Sequence, residues 1–160
     1  MDATDATEAA AGSAAARRPR VLGVDVGTVR VGLAVSDPSR TLAFALETLE
    51  VAEGQGGEPV AELARRVALL AAEQECGLVV VGLPRSLSGR STASTLHAQA
   101  VANALRGLGV VVELWDERLS SVEAERVLLA AGRRRAARRV ERDRVAATII
   151  LQGWLDARKG

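Results

Sequence analysis

The stretch Val21-Leu22-Gly23-Val24-Asp25-Val26, closed by Gly27-Thr28, decides how this chain folds. It is short, rich in β-branched and other apolar residues, and punctuated by a turn, which is the pattern of a buried strand. Val29 to Ser36 resumes the same character and stops at Asp37-Pro38, so the two runs predict a hairpin. Thr41 to Leu49 supplies a third strand of a meander, and the glycine-bearing segment from Glu50 to Pro59 reads as a loop.

Beyond that loop the period changes. Val60, Leu63, Ala64, Val67, Leu70 and Ala71 fall at helical spacing. Leu78-Val79-Val80-Val81-Gly82 reads as a second buried strand, ended by Leu83-Pro84. Ala93, Leu96, Ala100 and Ala104 describe another helix, and Val110 to Trp115 another strand. A further helix is expected where Ser120 and Glu123 form a capping box. After an Arg-rich connector, a last helix is expected from about Val140 to Ala157. An antiparallel meander followed by alternating helices and strands defines an α/β domain with a mixed sheet. Residues 1–17 are nearly all Ala, Thr, Ser, Gly and acid, too poor in apolar bulk to offset ordering entropy. They read as a disordered tail before a domain spanning 18–160.

Composition removes several classes of function. The chain has 160 residues with one Cys, one His, two Trp, one Phe and no Tyr. A disulfide framework and a structural zinc site both need more ligands than that. Base recognition by aromatic stacking has almost nothing to use. No apolar run approaches the roughly 18 residues of a membrane span, and the acidic N-terminus is unlike a basic leader. The expectation is a soluble cytoplasmic domain, without membrane partners, whose chemistry comes from carboxylates, arginines, hydroxyls and backbone.

Three acids stand where a core is expected. Asp25 interrupts an apolar strand, where an uncompensated carboxylate costs several kcal/mol. Its plainer reading is a cap on the Gly27-Thr28 turn. Glu117 follows the strand Val110–Trp115 at its carboxyl end, the edge where open α/β sheets form sites. Its plainer reading is a solvated turn with a local ion pair. Asp143 continues the helical stripe of Ala147, Ile150 and Trp154, although an acid in a first helical turn is also welcome for the macrodipole. A strand interior, a strand end and an inward helix face can converge at one sheet edge. Gathered carboxylates raise one another's pKa, and an all-oxygen set is compensated by Mg²⁺ or Mn²⁺. Two such ions form the clamp used for phosphodiester cleavage, which needs no histidine.

Gly23-Val-Asp25-Val-Gly27-Thr-Val-Arg30-Val-Gly32, Val81-Gly82-Leu83-Pro84 with Gly89, Trp115-Asp-Glu117-Arg118-Leu-Ser-Ser121 and Asp143-Arg-Val-Ala146-Ala147 with Ile150-Leu-Gln152-Gly153 resemble the YqgF family. Its RuvX-type members are also described as Holliday junction resolvase-like, with an RNase H-like fold. The resemblance covers residues 20–157 and implies a nuclease for the 5′ end of precursor 16S rRNA in ribosome biogenesis. It implies Asp25, Glu117 and Asp143 as the catalytic, metal-binding acids. Two features depart from the pattern. The one-turn neighbours of Asp143 are Val140, Ala146 and Ala147, so the fourth acid usual in true resolvases is missing. Arg85-Ser86-Leu87-Ser88 lacks the Asn-Met pair associated with the loop after Gly-Leu-Pro. The three-acid set favours RNA over branched DNA.

Arginines dominate the basic residues, since Lys159 is the single Lys. Residues 133–144 hold seven Arg and two acids, a local charge of +5 in a chain whose net charge is +1. A charge run is usually a solvated face. This one leads to Asp143, so Arg133, Arg134, Arg135, Arg138 and Arg139 are candidate phosphate contacts, with salt-dependent binding expected. Thr28, Arg30, Arg85, Ser86 and Arg90 lie on turns expected to face the same edge. Gly27 is expected to allow close backbone approach, and Arg118 to hold Glu117 in place. Trp115, Trp154 and His97 read as core or boundary residues, and Cys76, placed at a helix end, as structural. Two rivals remain. One is an ATP-binding lobe suggested by Asp-Val-Gly-Thr, which needs a second lobe. The other is a non-catalytic nucleic-acid or ribosome-binding module.

Overall fold

The computed structural model describes residues 19–27, 29–51, 58–84, 92–119 and 135–158, with the side chains of 58 and 135–144 outside that description. The expected tail over 1–17, most of the glycine-bearing loop and the capping-box helix at Ser120–Glu123 also lie outside it.

The elements are β1 (Arg20–Val26), β2 (Arg30–Ser36), β3 (Ala43–Glu50), α1 (Glu58–Glu73), β4 (Cys76–Leu83), α2 (Ala93–Gly107), β5 (Val112–Asp116), a 3₁₀ turn (Glu117–Leu119) and α3 (Arg135–Ala157). The five strands form one sheet in the order β3-β2-β1-β4-β5. β1, β2 and β3 pair antiparallel, while β4 and β5 run parallel to β1. This is the mixed α/β sheet expected from the meander and the change of period.

The β2–β3 connection is fixed by its Asp. Asp37 Oδ1 accepts from the backbone N–H of Thr41 (2.7 Å) and Leu42 (3.1 Å), and Oδ2 accepts from Ser39 Oγ (2.7 Å). Burial opposes ionisation of Asp37, but these donors outweigh it and hold its carboxyl below the ordinary range. Helix α2 starts at a capping box in which the Thr92 side chain and Thr95 reciprocate. The Thr95 hydroxyl also donates to the carbonyl of Pro84, tying that start to the end of β4.

Strand alternation sorts the core into two layers. Leu22, Val24, Val26, Val79, Val81 and Leu83 pack with Leu63, Val67, Val101 and Leu105 of α1 and α2. Val21, Ala34, Leu78 and Val80 pack instead with Ala146, Ala147, Ile150, Leu151, Trp154 and Leu155 of α3. Burying a Leu or Ile side chain is worth about 1.5–3 kcal/mol, so three such residues hold α3 firmly on its face.

Two expectations need correction here. The last helix begins at Arg135 rather than near Val140, so much of the Arg-rich segment is helical. Arg and Ala are strong helix formers, and neither Gly nor Pro interrupts residues 133–152. Asp143 is therefore well inside the helix, and the first-turn reading of it falls away. Cys76 opens β4 instead of ending a helix; burial, against the pull of Arg20 and Arg40, pushes its thiol up to about 11. No helix among the described residues is long and apolar enough to cross a membrane.

Candidate active site

Asp25 is 6% exposed near the carboxyl end of β1. It shares strand parity with Val21 and Gly23, so it belongs to the face that α3 covers. The backbone explains how it fits. Its antiparallel neighbour on β2 is Gly32, and one step past the Val24–Val81 pair its parallel neighbour on β4 is Gly82. A side chain is thus missing on either side of this carboxylate.

Glu117 is 5% exposed and opens the 3₁₀ turn after β5. Its backbone lies beyond the strand end, yet its carboxylate folds back over the sheet. A Cβ built on Gly82 would stand 3.1 Å from Glu117 Oε1 and 2.5 Å from Ile150 Cδ1. Gly82 pairs with Trp115 on β5 and neighbours Asp25 on β1. Glu117 therefore places an oxygen over the column next to Asp25, and neighbouring strands lie about 4.8 Å apart. Both acids face α3 at the carboxyl ends of parallel strands.

The backbone of α3 brings position 143 to the same level. A Cβ on Gly23 would meet Leu151 Cβ at 2.7 Å and the Ala147 carbonyl at 3.2 Å. Trp154 meets Glu113 on β5, whereas Ile150 meets Gly82, level with Trp115, so the helix runs back against the strands. Two residues along β1 advance about 6.7 Å and one helical turn about 5.4 Å. The turn from 143 to 147 is thus level with Asp25. Among the described residues no three His, Cys, Asp or Glu side chains form a metal-holding group. The side chain of Asp143 is outside that set. The donor set present is all oxygen, buried, and set in a space kept open by Gly82, which fits a hard divalent cation.

Other expected site residues divide three ways. Gly27 donates to the Arg30 carbonyl at 3.0 Å, and a Cβ there would stand 2.4 Å from that oxygen, so a side chain is excluded by the turn itself. Arg30 starts β2 at the same sheet edge as Asp25. Arg118 is a correction: its guanidinium grips Asp116, with Nε at 3.0 and 3.1 Å and a terminal nitrogen at 2.6 Å, rather than Glu117. An acid two residues back in a tight turn is within easier reach than a neighbour whose carboxylate folds under α3. Thr28, Arg85, Ser86, Arg90, Arg133 and Arg134 lie outside the described residues, and Arg135, Arg138 and Arg139 are placed by backbone alone on the first turns of α3.

Two contributors stand in the sequence only as members of the family motifs, with no role assigned to them there. Gly82, a glycine inside an apolar strand, was a visible signal of close approach. Gln152 had no such signal: its Oε1 accepts from Ala43 N (2.9 Å), and its Nε2 donates to the Thr41 carbonyl (3.0 Å) and to Asp156 (2.9 Å). It ties α3 to the start of β3.

A mixed sheet in this order, with acids at the carboxyl ends under a C-terminal helix, is the RNase H-like arrangement. Among solved structures, RuvC of Thermus thermophilus in complex with a Holliday junction substrate matches with a TM-score of 0.56 at 19% identity, covering 89% of this chain and 97% of that one. A second structure of the Thermus protein gives 0.54 at 19% identity, covering 87% and 95%. The family profile RuvX, described as a Holliday junction resolvase, matches residues 19–157, and the chain belongs to that family. A Mycolicibacterium smegmatis protein provisionally named a pre-16S rRNA nuclease is 46% identical over 144 residues, 89% of this chain and 83% of that one. A Corynebacterium glutamicum protein of the same name is 43% identical, covering 87% and 79%.

Proposed function

We propose that this chain is a divalent-metal-dependent endonuclease that hydrolyses phosphodiester bonds in structured RNA, trimming the 5′ end of precursor 16S rRNA in the cytoplasm. The observation that carries the reading is the pair of buried carboxylates, Asp25 and Glu117, on one face beside the turn of α3 that holds position 143. The names of the relatives point to the same substrate.

Asp25, Glu117 and Asp143 would hold Mg²⁺ or Mn²⁺, two ions in the fullest form of the reading. Bound there, the metal supplies an activated water and offsets charge on the leaving oxygen. The protein's own share is placement. The sheet fixes Asp25 and Glu117 in one layer, and α3 closes over them and limits water. Arg30 and the arginines at the start of α3 would hold the flanking phosphates, together with Thr28, Arg85, Ser86 and Arg90. Attack of water on phosphorus with release of the 3′ oxygen leaves 5′-phosphate and 3′-hydroxyl ends.

Four-way DNA junctions are the second reading, supported by the family description and the RuvC-like fold. The test compares wild type with Asp25→Asn on precursor 16S RNA, on assembling ribosomal particles and on a four-way DNA junction. Metal-dependent cleavage of RNA, lost in the variant, is expected. Cleavage that survives Asp25→Asn overturns the site, and binding without turnover on every substrate assigns a non-catalytic module.

A further inference from the structure

Glycine inside a strand weakens it, so its presence at position 82 needs a cause. Gly82 is not among the described glycines with positive φ, so the backbone does not require it. What requires it is space: a Cβ there would stand 2.5 Å from Ile150 Cδ1, 3.1 Å from Glu117 Oε1 and 3.2 Å from Ile150 Cγ1. Gly23, the other glycine under α3, differs. The nearest atoms to a Cβ there belong to the helix, Leu151 Cβ and the Ala147 carbonyl, so it sets how closely the helix approaches. Gly82 instead adjoins a carboxylate that must reach inward from beyond the end of β5.

The geometry points to Gly82 as a positioning residue for Glu117. Its bare α-carbon is the gap through which the Glu117 carboxylate crosses from the β5 edge to the column beside Asp25. A methyl group there pushes Glu117 outward and widens the separation of the two acids, while Asp25 stays where β1 holds it. The inference rests on the reading of Asp25 and Glu117 as metal-holding acids, but its structural half stands without metal.

A Gly82→Ala change also crowds Ile150, which could weaken the fold for reasons unrelated to Glu117. Ile150→Val removes Cδ1, the closest of the three contacts at 2.5 Å, and leaves Cγ1 at 3.2 Å, so it takes away the severe part of the crowding by Ile150 and keeps the contact with Glu117. The experiment compares wild type, Gly82→Ala, Ile150→Val and the double variant in three measurements. These are thermal melting, the carbon-13 carboxyl shift of Glu117 in metal-free protein, and Mn²⁺ affinity by electron paramagnetic resonance. Ile150→Val should leave the Glu117 signal and Mn²⁺ binding as in wild type. The double variant should melt close to Ile150→Val, keep a displaced Glu117 signal, and bind Mn²⁺ about 10- to 100-fold more weakly, the usual range for groups that orient metal ligands. A double variant whose Glu117 signal and Mn²⁺ affinity match Ile150→Val would overturn the inference and make Gly82 a packing glycine. If wild type binds no Mn²⁺ while Gly82→Ala still moves the Glu117 signal, the placement by Gly82 stands and the metal reading falls.

Discussion

The indole N–H of Trp154 on α3 donates to Glu113 Oε2 on β5 at 2.6 Å, joining the last turns of the helix to an edge strand of the sheet. Arg158 donates to the same oxygen at 2.6 Å, and its guanidinium lies 4.6 Å from the Trp154 ring centroid. Burial disfavours ionised Glu113, but the Arg158 and Trp154 bonds prevail and hold its carboxyl below the ordinary range. The folded state therefore binds this proton less tightly than the unfolded chain. The contribution is complete above the unfolded carboxylate pKa of about 4.3 and is lost as pH falls through the lower folded value. Trp154→Phe should cost about 1–3 kcal/mol at pH 7 and flatten the fall in melting temperature between pH 5 and pH 3. Melts of equal slope in the two proteins would refute the assignment.

Gln152 replaces a missing partner at the start of edge strand β3, where Ala43 N and the Thr41 carbonyl meet its amide. Gln152→Leu keeps the bulk and removes both bonds together with the one to Asp156, so a loss of about 1–3 kcal/mol in denaturant unfolding is expected. Cleavage per folded molecule should be unchanged, because the tie lies near the amino end of β1, away from Asp25.

Gly23 and Leu151 are packed closely enough that a methyl group at position 23 must move the helix. Gly23→Ala should destabilise by about 1–3 kcal/mol through overpacking. The nearest atoms are Leu151 Cβ and the Ala147 carbonyl, which shortening the Leu151 side chain to Ala leaves in place, so Leu151→Ala should add a cavity cost and should not restore stability. Recovery of the melting temperature in Gly23→Ala/Leu151→Ala would contradict the close seating of the helix on Gly23.

Cys76 has its thiol raised to about 11 by burial. Against a reference of 9.0, its thiolate is about 100-fold scarcer at neutral pH. Labelling by iodoacetamide at pH 7.5 should be slower than for a free thiol by about that factor, and should accelerate on unfolding. Fast labelling of folded protein would contradict the burial.

Replacing Arg133, Arg134 and Arg135 with Ala should weaken RNA binding and reduce its salt slope. Each lost phosphate contact lowers the slope by about 0.7 for single strands and about 0.9 for duplex. An unchanged slope measured by filter binding from 50 to 200 mM salt would return this segment to a solvated role.

Much of the fold was legible because its strands carry their own punctuation. Asp25 was visible as a charge in an apolar run, and Glu117 as an acid at a strand end. The stripe of Ala147, Ile150 and Trp154 is buried on the sheet as its spacing required. The start of α3 was misplaced because a dense run of like charge resembles a connector, whereas Arg and Ala favour helix regardless of charge. The partner of Arg118 could not be read, since Asp116 and Glu117 both lie within its reach. Glu113 with Trp154 and Ala43 with Gln152 are pairs separated by 41 and 109 residues, and no local pattern encodes such contacts.

The seating of α3 on Gly23 and Gly82 also gives the stretch of α3 between positions 143 and 147 a fixed length. Position 143 and the residues clamped to the sheet, from Ala147 to Trp154, belong to one uninterrupted helix. Deleting or inserting a single residue between 143 and 147 would rotate position 143 by about 100° relative to that clamp. On the proposed reading of Asp143, an error of one residue there would carry it away from Asp25 and Glu117 while Ala147, Ile150, Leu151 and Trp154 kept their places on the sheet. The proposed metal-holding set would in this sense be kept in phase by counting residues along the helix.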